Sequence, residues 1–135
     1  MNSTDPLKTR GRVSGWFAAI LGVFLFIEGV WGLFSRVVFG GLTTNHTHAV
    51  IHIVLGGIGI GLGWRGPARG YCLFLGLLLP AVGLLYFIPA TSYWPASILN
   101  VNTAVARLNV VLGGLSLLVF FLSGRTERTY RTEAE

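Results

Sequence analysis

Apolar residues along this chain run on rather than alternate. Four stretches are continuously apolar for about 20 residues, the length a helix needs to cross a hydrocarbon core. They extend from about Ser14 to Phe34, Thr47 to Trp64, Gly70 to Ile88 and Thr103 to Ser123. Barrel strands would show a period of two, so these runs predict helices. The connections are too short to hold a soluble domain. Pro80 inside the third run predicts a kink or local rewinding. Pro89 and Pro95 shape an uncharged loop that ends at Asn102. The tail from Gly124 to Glu135 reads as a short, charged, solvated extension.

Composition sharpens this picture. The 135 residues are 53% hydrophobic and only 11% charged, against about 25% charged in a typical soluble domain. That excludes a disordered tail and a disulfide-stapled secreted module. The expected architecture is therefore all-α: a single transmembrane domain over residues 1–135, folded as an integral membrane four-helix bundle. A lone cysteine, Cys72, forbids an internal disulfide and any multi-cysteine metal site. The net charge of +5 does not point to nucleic acid, because the basic residues cluster in short segments between the apolar runs.

Their placement sets an orientation. Lys8, Arg10, Arg12, Arg65, Arg69, Arg125, Arg128 and Arg131 fall on one side, and Arg36 and Arg107 on the other. Cytoplasmic loops carry the excess of Lys and Arg, so both termini are expected in the cytoplasm. Trp16 and Trp64 fall at the predicted inner interface, and Trp31, Trp94, Tyr86 and Tyr93 at the outer one, as an aromatic belt requires. The first run follows basic residues as a signal peptide would. It is too long for one, and no A-x-A-like site follows it, so it reads as a retained helix.

The second and fourth runs resemble each other. Asn45, Ala49, Val54, Leu55, Gly56 and Gly57 recur without a gap as Asn102, Ala106, Val111, Leu112, Gly113 and Gly114. Gly22 and Gly29 correspond to Gly76 and Gly83 at a slightly different offset. Two tandem helical hairpins in the same orientation, a parallel internal repeat, account for both.

Spacings of three and four put Asn45, His48, His52, Gly56, Gly59 and Gly63 on one face of the second run. The matching face of the fourth carries Asn102, Val105, Asn109, Gly113 and Ser116. In lipid, small residues let backbones approach and polar side chains bond across the contact. Gly56, Gly59, Gly63 and Gly113 are thus expected to pack helices, as are the patterns Gly57-x-x-x-Gly61 and Gly59-x-x-x-Gly63. His52 and Asn109 are expected to bond near a pseudo-axis. Charged groups within a span are rare and usually face a partner. Glu28, His52 and Arg107 fall at similar depth by helix rise, so Glu28 is expected to pair with Arg107 or His52. His46 belongs to the outer interface, in solvent. The sharper reading of His48 and His52 is that one or both ligate a haem, a pigment or a metal. Too few carboxylates are near for a hard metal. The run Gly57-Ile58-Gly59-Ile60-Gly61 is helix packing, since no strand precedes it.

The element Asn45-x-x-His48-x-x-x-His52-x-x-x-Gly56, with Arg65 and Arg69 in the following turn and an Asn102-led fourth run, resembles an uncharacterised bacterial family. Its members are small four-helix membrane proteins, grouped as a domain of unknown function. The resemblance implies a bacterial membrane setting and this fold, and no activity. The family tends to place a Leu-His pair before the glycine of its fourth span. Here that place is Leu108-Asn109, which removes the second histidine that a cofactor shared between spans would need.

No nucleophile-base set, P-loop or nucleotide fingerprint is present, so the expected function is not enzymatic. The leading expectation is a scaffold or accessory subunit of a larger membrane complex, bound to a membrane-protein partner or to itself. The alternative is a haem-, pigment- or quinone-binding protein using His48 or His52. A small transporter would need a polar path that the inner halves of these runs lack.

Overall fold

The computed structural model describes residues 6–133, with side chains described for residues 12–124. Lys8, Arg10, Arg125, Arg128 and Arg131, used above for orientation, lie outside the described side chains. The element order is α1 (Pro6–Phe34), β1 (Val37–Val38), β2 (Leu42–Thr43), α2 (His46–Arg65), α3 (Arg69–Phe87), α4 (Tyr93–Leu99) and α5 (Thr103–Glu133). Four of the five helices are long and apolar enough to cross a membrane: Arg12–Phe34, His46–Arg65, Arg69–Phe87 and Thr103–Gly124. The expected spans agree with these to within a few residues. Two ends differ. Helix α1 begins at Pro6, and α5 continues to Glu133, so the charged tail extends a helix through Glu133 instead of leaving it at Ser123.

Asparagines start two of these helices. Asn45 has extended backbone, and its side-chain oxygen accepts from the His48 amide at 2.9 Å. Asn102 does the same for the Val105 amide at 2.9 Å. Each satisfies an amide that the first helical turn leaves without a carbonyl.

Helix α1 packs along α2, and α3 along α5. Glycine makes both contacts close. A Cβ on Gly22 would stand 2.7 Å from the Gly56 carbonyl oxygen, and one on Gly29 would stand 2.6 Å from that of Ala49. In the other pair a Cβ on Gly83 would stand 2.6 Å from the Ala106 carbonyl oxygen, and one on Gly76 would stand 2.6 Å from Leu117 Cγ. Pro80 lies inside α3 without ending it, and its ring rests where a Cβ on Gly113 would be. Between the two pairs, Ala18, Leu21 and Leu25 of α1 meet Tyr71, Leu75 and Leu79 of α3 in the main core. Tyr71 also crosses to α2, where its hydroxyl donates to the Leu55 carbonyl at 2.8 Å.

The glycines divide into two sets. Gly56, Gly59, Gly63 and Gly113 face neighbouring helices, as expected. Gly57 and Gly61 do not: nothing lies within 4 Å of a Cβ at either. The reason is angular. Helix α2 has one internal face, and Gly56 and Gly59 occupy it, so Gly57 and Gly61 point outward.

The α1–α2 connection holds a short β-hairpin, which the pattern of apolar runs does not announce. Strands β1 and β2 pair antiparallel, Val37 with Thr43 and Val38 with Leu42. The tip carries Phe39 at φ 49 and Gly40 at φ 75. The hairpin folds back along α1, so that Phe39 stacks on Phe24 at 5.7 Å and meets Trp31 edge-on at 5.2 Å. Phe24 is ten residues before the end of α1, about 15 Å along the axis. Irregular backbone beside a membrane-spanning helix is favoured when it bonds internally. Part of it does: besides the strand pairing, the Gly41 amide donates to Val38 O at 3.2 Å and the Thr44 amide to Arg36 O at 2.9 Å.

Candidate functional site

Three of the expected residues meet at the hairpin end of α1 and α2. Glu28 lies on α1 and His48 and His52 lie on α2, exposed by only 3%, 2% and 4%. His52 Nδ1 is 3.2 Å from Glu28 Oε2. His52 Nε2 is 3.0 Å from His48 Nε2. His48 Nδ1 is 2.9 Å from the Leu99 carbonyl oxygen. The local cause is plain: residues four apart on a helix share a face, and the glycines that let α1 approach α2 bring Glu28 up to that face.

The proton placement follows from the partners. A carbonyl oxygen only accepts, so His48 Nδ1 carries a hydrogen. With His48 in its neutral form, Nε2 accepts, and the hydrogen between the rings belongs to His52 Nε2. His52 Nδ1 and Glu28 then hold one proton between them, whichever atom bears it. The chain runs from Glu28 through both rings to Leu99, and all four ring nitrogens have a partner. A haem, pigment or metal ligated by His48 or His52 would have to take a nitrogen away from one of these contacts.

Leu99 belongs to the α3–α5 connection, which is tied to the α1–α2 connection by further bonds. Thr43 Oγ1 donates to Asn100 O at 2.6 Å, and Asn100 Nδ2 donates to Thr44 O at 2.8 Å. Asn45 Nδ2 donates to Ile98 O at 2.8 Å, and Asn102 Nδ2 to Gly41 O at 2.8 Å. The buried chain is therefore the inner anchor of a lid that joins both connections over one end of the helices. The Leu99 carbonyl and the Asn100 contacts escaped the sequence reading. A main-chain acceptor leaves no mark in the side-chain pattern, and a seven-residue helix such as α4 is too short to show periodicity.

Two other expected residues lie elsewhere. Arg107 does not pair with Glu28; its side chain is exposed on α5, beside the hairpin. His52 already occupies the carboxylate, and the close α1–α2 contact puts it there. Asn109 is 4% exposed but does not bond to His52. It sits on the α5 face toward α3, its Cβ 3.4 Å from where a Cβ on Gly83 would be. The two polar stripes face different neighbours because α2 packs mainly on α1 and α5 mainly on α3. His46 is exposed, as expected. Among the described residues, no group of three or more His, Cys, Asp or Glu is placed to hold one metal ion.

The opposite end is braced differently. Arg69 Nε donates to Phe120 O at 3.0 Å while its guanidinium lies 4.1 Å from the Phe120 ring centroid. Ser116 Oγ donates to Cys72 O at 2.8 Å, and the Ala68 amide donates to Ser14 Oγ at 3.1 Å. No protein-family model, curated protein or solved structure matches the chain.

Proposed function

We propose that the chain is an integral protein of a bacterial cytoplasmic membrane, a bundle of two tandem helical hairpins with both termini in the cytoplasm. It works without catalysis, as a scaffold or accessory subunit of a larger membrane assembly. The observation that carries this is the outward face of α2. Gly57 and Gly61 stand one turn apart with open space at each, beside the exposed Val54 and Ile58. In a bilayer such a face gains by taking a second helix, since small residues admit close backbone contact. Gly114 is open in the same way on α5.

Internal duplication is supported by packing as well as by sequence. Gly29 abuts Ala49 and Ile53, while Gly83 abuts Ala106 and Val110. Gly22 abuts Ile60, while Gly76 abuts Leu117. The offsets between these contacts are those of the aligned glycines and of the aligned second and fourth runs. The membrane setting is supported by exposed indoles at both ends, Trp16 and Trp64 at one and Trp31 and Trp94 at the other.

Gentle purification from native membranes, followed by mass spectrometry of the intact complex, tests the subunit reading. The expected result is a partner in fixed stoichiometry that is lost from a Gly57→Leu/Gly61→Leu double variant whose own thermal unfolding is unchanged. A species containing one copy of this chain and nothing else, in wild type and variant alike, would end it. The cofactor alternative has its own check: visible absorbance that disappears in His52→Ala would favour haem or pigment.

A further inference from the structure

Arg107, expected as a partner of Glu28, is left out of the buried chain. Glu28 is the sole carboxylate among the described side chains, and His52 holds it. Arg107 lies four residues into α5, about 6 Å along the axis. Its guanidinium keeps its charge and presents five N–H donors in a planar fork. These donors meet no hydrogen-bond or ion-pair partner among the described residues.

What surrounds Arg107 is a groove of about 540 Å³, within the ~300–1,000 Å³ of ordinary ligand sites. Phe24 of α1, Phe39 and Leu42 of the hairpin, and Leu108 and Val111 of α5 wall it. Apart from Arg107 these side chains are apolar. The hairpin wall is built against backbone preference. Phe39 is a bulky residue at φ 49, held there by its stacking on Phe24 and its contact with Trp31. Gly41 lines the same wall, and its carbonyl accepts from Asn102 Nδ2 at 2.8 Å.

The geometry points to a binding site for one anionic phospholipid, with its phosphate on the Arg107 fork and an acyl chain along the apolar wall. Two features choose this occupant. A guanidinium matches phosphate oxygens two at a time, and the rest of the groove has nothing to offer a polar molecule. A soluble anion would leave the apolar wall bare, a lipid without phosphate would leave the fork unmatched, and a zwitterionic lipid such as phosphatidylcholine brings its own cation to offset the phosphate charge that Arg107 would meet.

The experiment titrates the delipidated full-length protein in mild detergent with short-chain phosphatidylglycerol or phosphatidylcholine, and reads bound lipid by native mass spectrometry. One phosphatidylglycerol per chain is expected, retained about tenfold more tightly than phosphatidylcholine. Arg107→Gln should abolish that preference. Ala104→Phe, which fills the groove from an exposed position and leaves Arg107 in place, should abolish retention. Equal retention of both lipids overturns the inference, as does an unchanged preference in Arg107→Gln. Unchanged retention in Ala104→Phe also overturns it, by placing the arginine among bulk headgroups. Displacement by millimolar inorganic phosphate would make the site one for a free anion. The inference rests on the membrane reading, and the two fail separately. A chain that does not float with lipid vesicles ends that reading; a chain that floats but shows no lipid preference ends only this inference.

Discussion

At the scale of single residues, the proton count in the buried chain makes a sharp prediction. His48 must carry hydrogen on Nδ1 because the Leu99 carbonyl can only accept. Nitrogen-15 spectra of the imidazoles should show that tautomer, and it should persist in Glu28→Gln. A glutamine amide can donate to His52 Nδ1, as a protonated Glu28 would, so the ring-to-ring bond stays polarised the same way. Glu28→Ala instead leaves a buried ring nitrogen without its partner, which costs about 1–3 kcal/mol. Thermal unfolding in detergent should therefore rank wild type and Glu28→Gln close together, with Glu28→Ala below both. Equal loss in Gln and Ala variants would mean that the carboxylate's charge, and not its hydrogen bond, holds the chain. Much of this was legible in the sequence. Two imidazoles four residues apart and one acidic residue in an apolar run are scarce enough to stand out. The choice of His52 over Arg107 as partner was not legible, because depth along a helix says nothing about which way two helices face.

At the scale of helices, adjacent glycines give opposite predictions. A Cβ on Gly56 would lie 2.6 Å from the Phe26 amide nitrogen, whereas Gly57 has open space around it. Ala is favoured over Gly in a helix by up to about 1 kcal/mol. Gly57→Ala should then leave the unfolding midpoint of the isolated protein unchanged or raised. Gly56→Ala should lower it, because main chain on α1 has to move. Gly113→Ala should behave like Gly56→Ala, since its methyl would enter the Pro80 ring. If all three substitutions had the same effect, the assignment of α2's inner and outer faces would be wrong. The stripe containing Gly56, Gly59 and Gly63 could be read from spacing alone. The Gly57–Gly61 pattern has the same four-residue interval as the inward Gly59–Gly63 pair, two residues further along, so spacing alone does not separate them. A short-range motif specifies closeness to some helix without saying whether that helix is in the same chain. The β-hairpin gave no signal at all: two-residue strands are below any periodicity, and tertiary bonds from Asn100 and Asn102 hold it in place.

At the scale of the whole molecule, the ends of the helices differ in charge, and this decides the remaining prediction. Arg12, Arg65 and Arg69 lie at the end where α2 hands over to α3, and Arg36 and Arg107 lie at the other. Basic residues flanking spans stay in the cytoplasm, so the end carrying Pro67 should face inward and the lid carrying Ala96 outward. The chain is well suited to the test. Its one cysteine, Cys72, is fully buried, so the wild type should be silent to a membrane-impermeant maleimide. Ala96 and Pro67 are both exposed, and a cysteine at either adds a single reporter. In intact bacterial cells Ala96→Cys should label and Pro67→Cys should not; after lysis both should. The reverse pattern would invert the protein in the membrane. It would also carry the Arg107 groove to the cytoplasmic leaflet, changing which leaflet supplies its lipid without changing the chemistry of the fork. Labelling of both positions in intact cells would mean that the segment between Pro67 and Ala96 does not cross, and the four-span reading would fall with it.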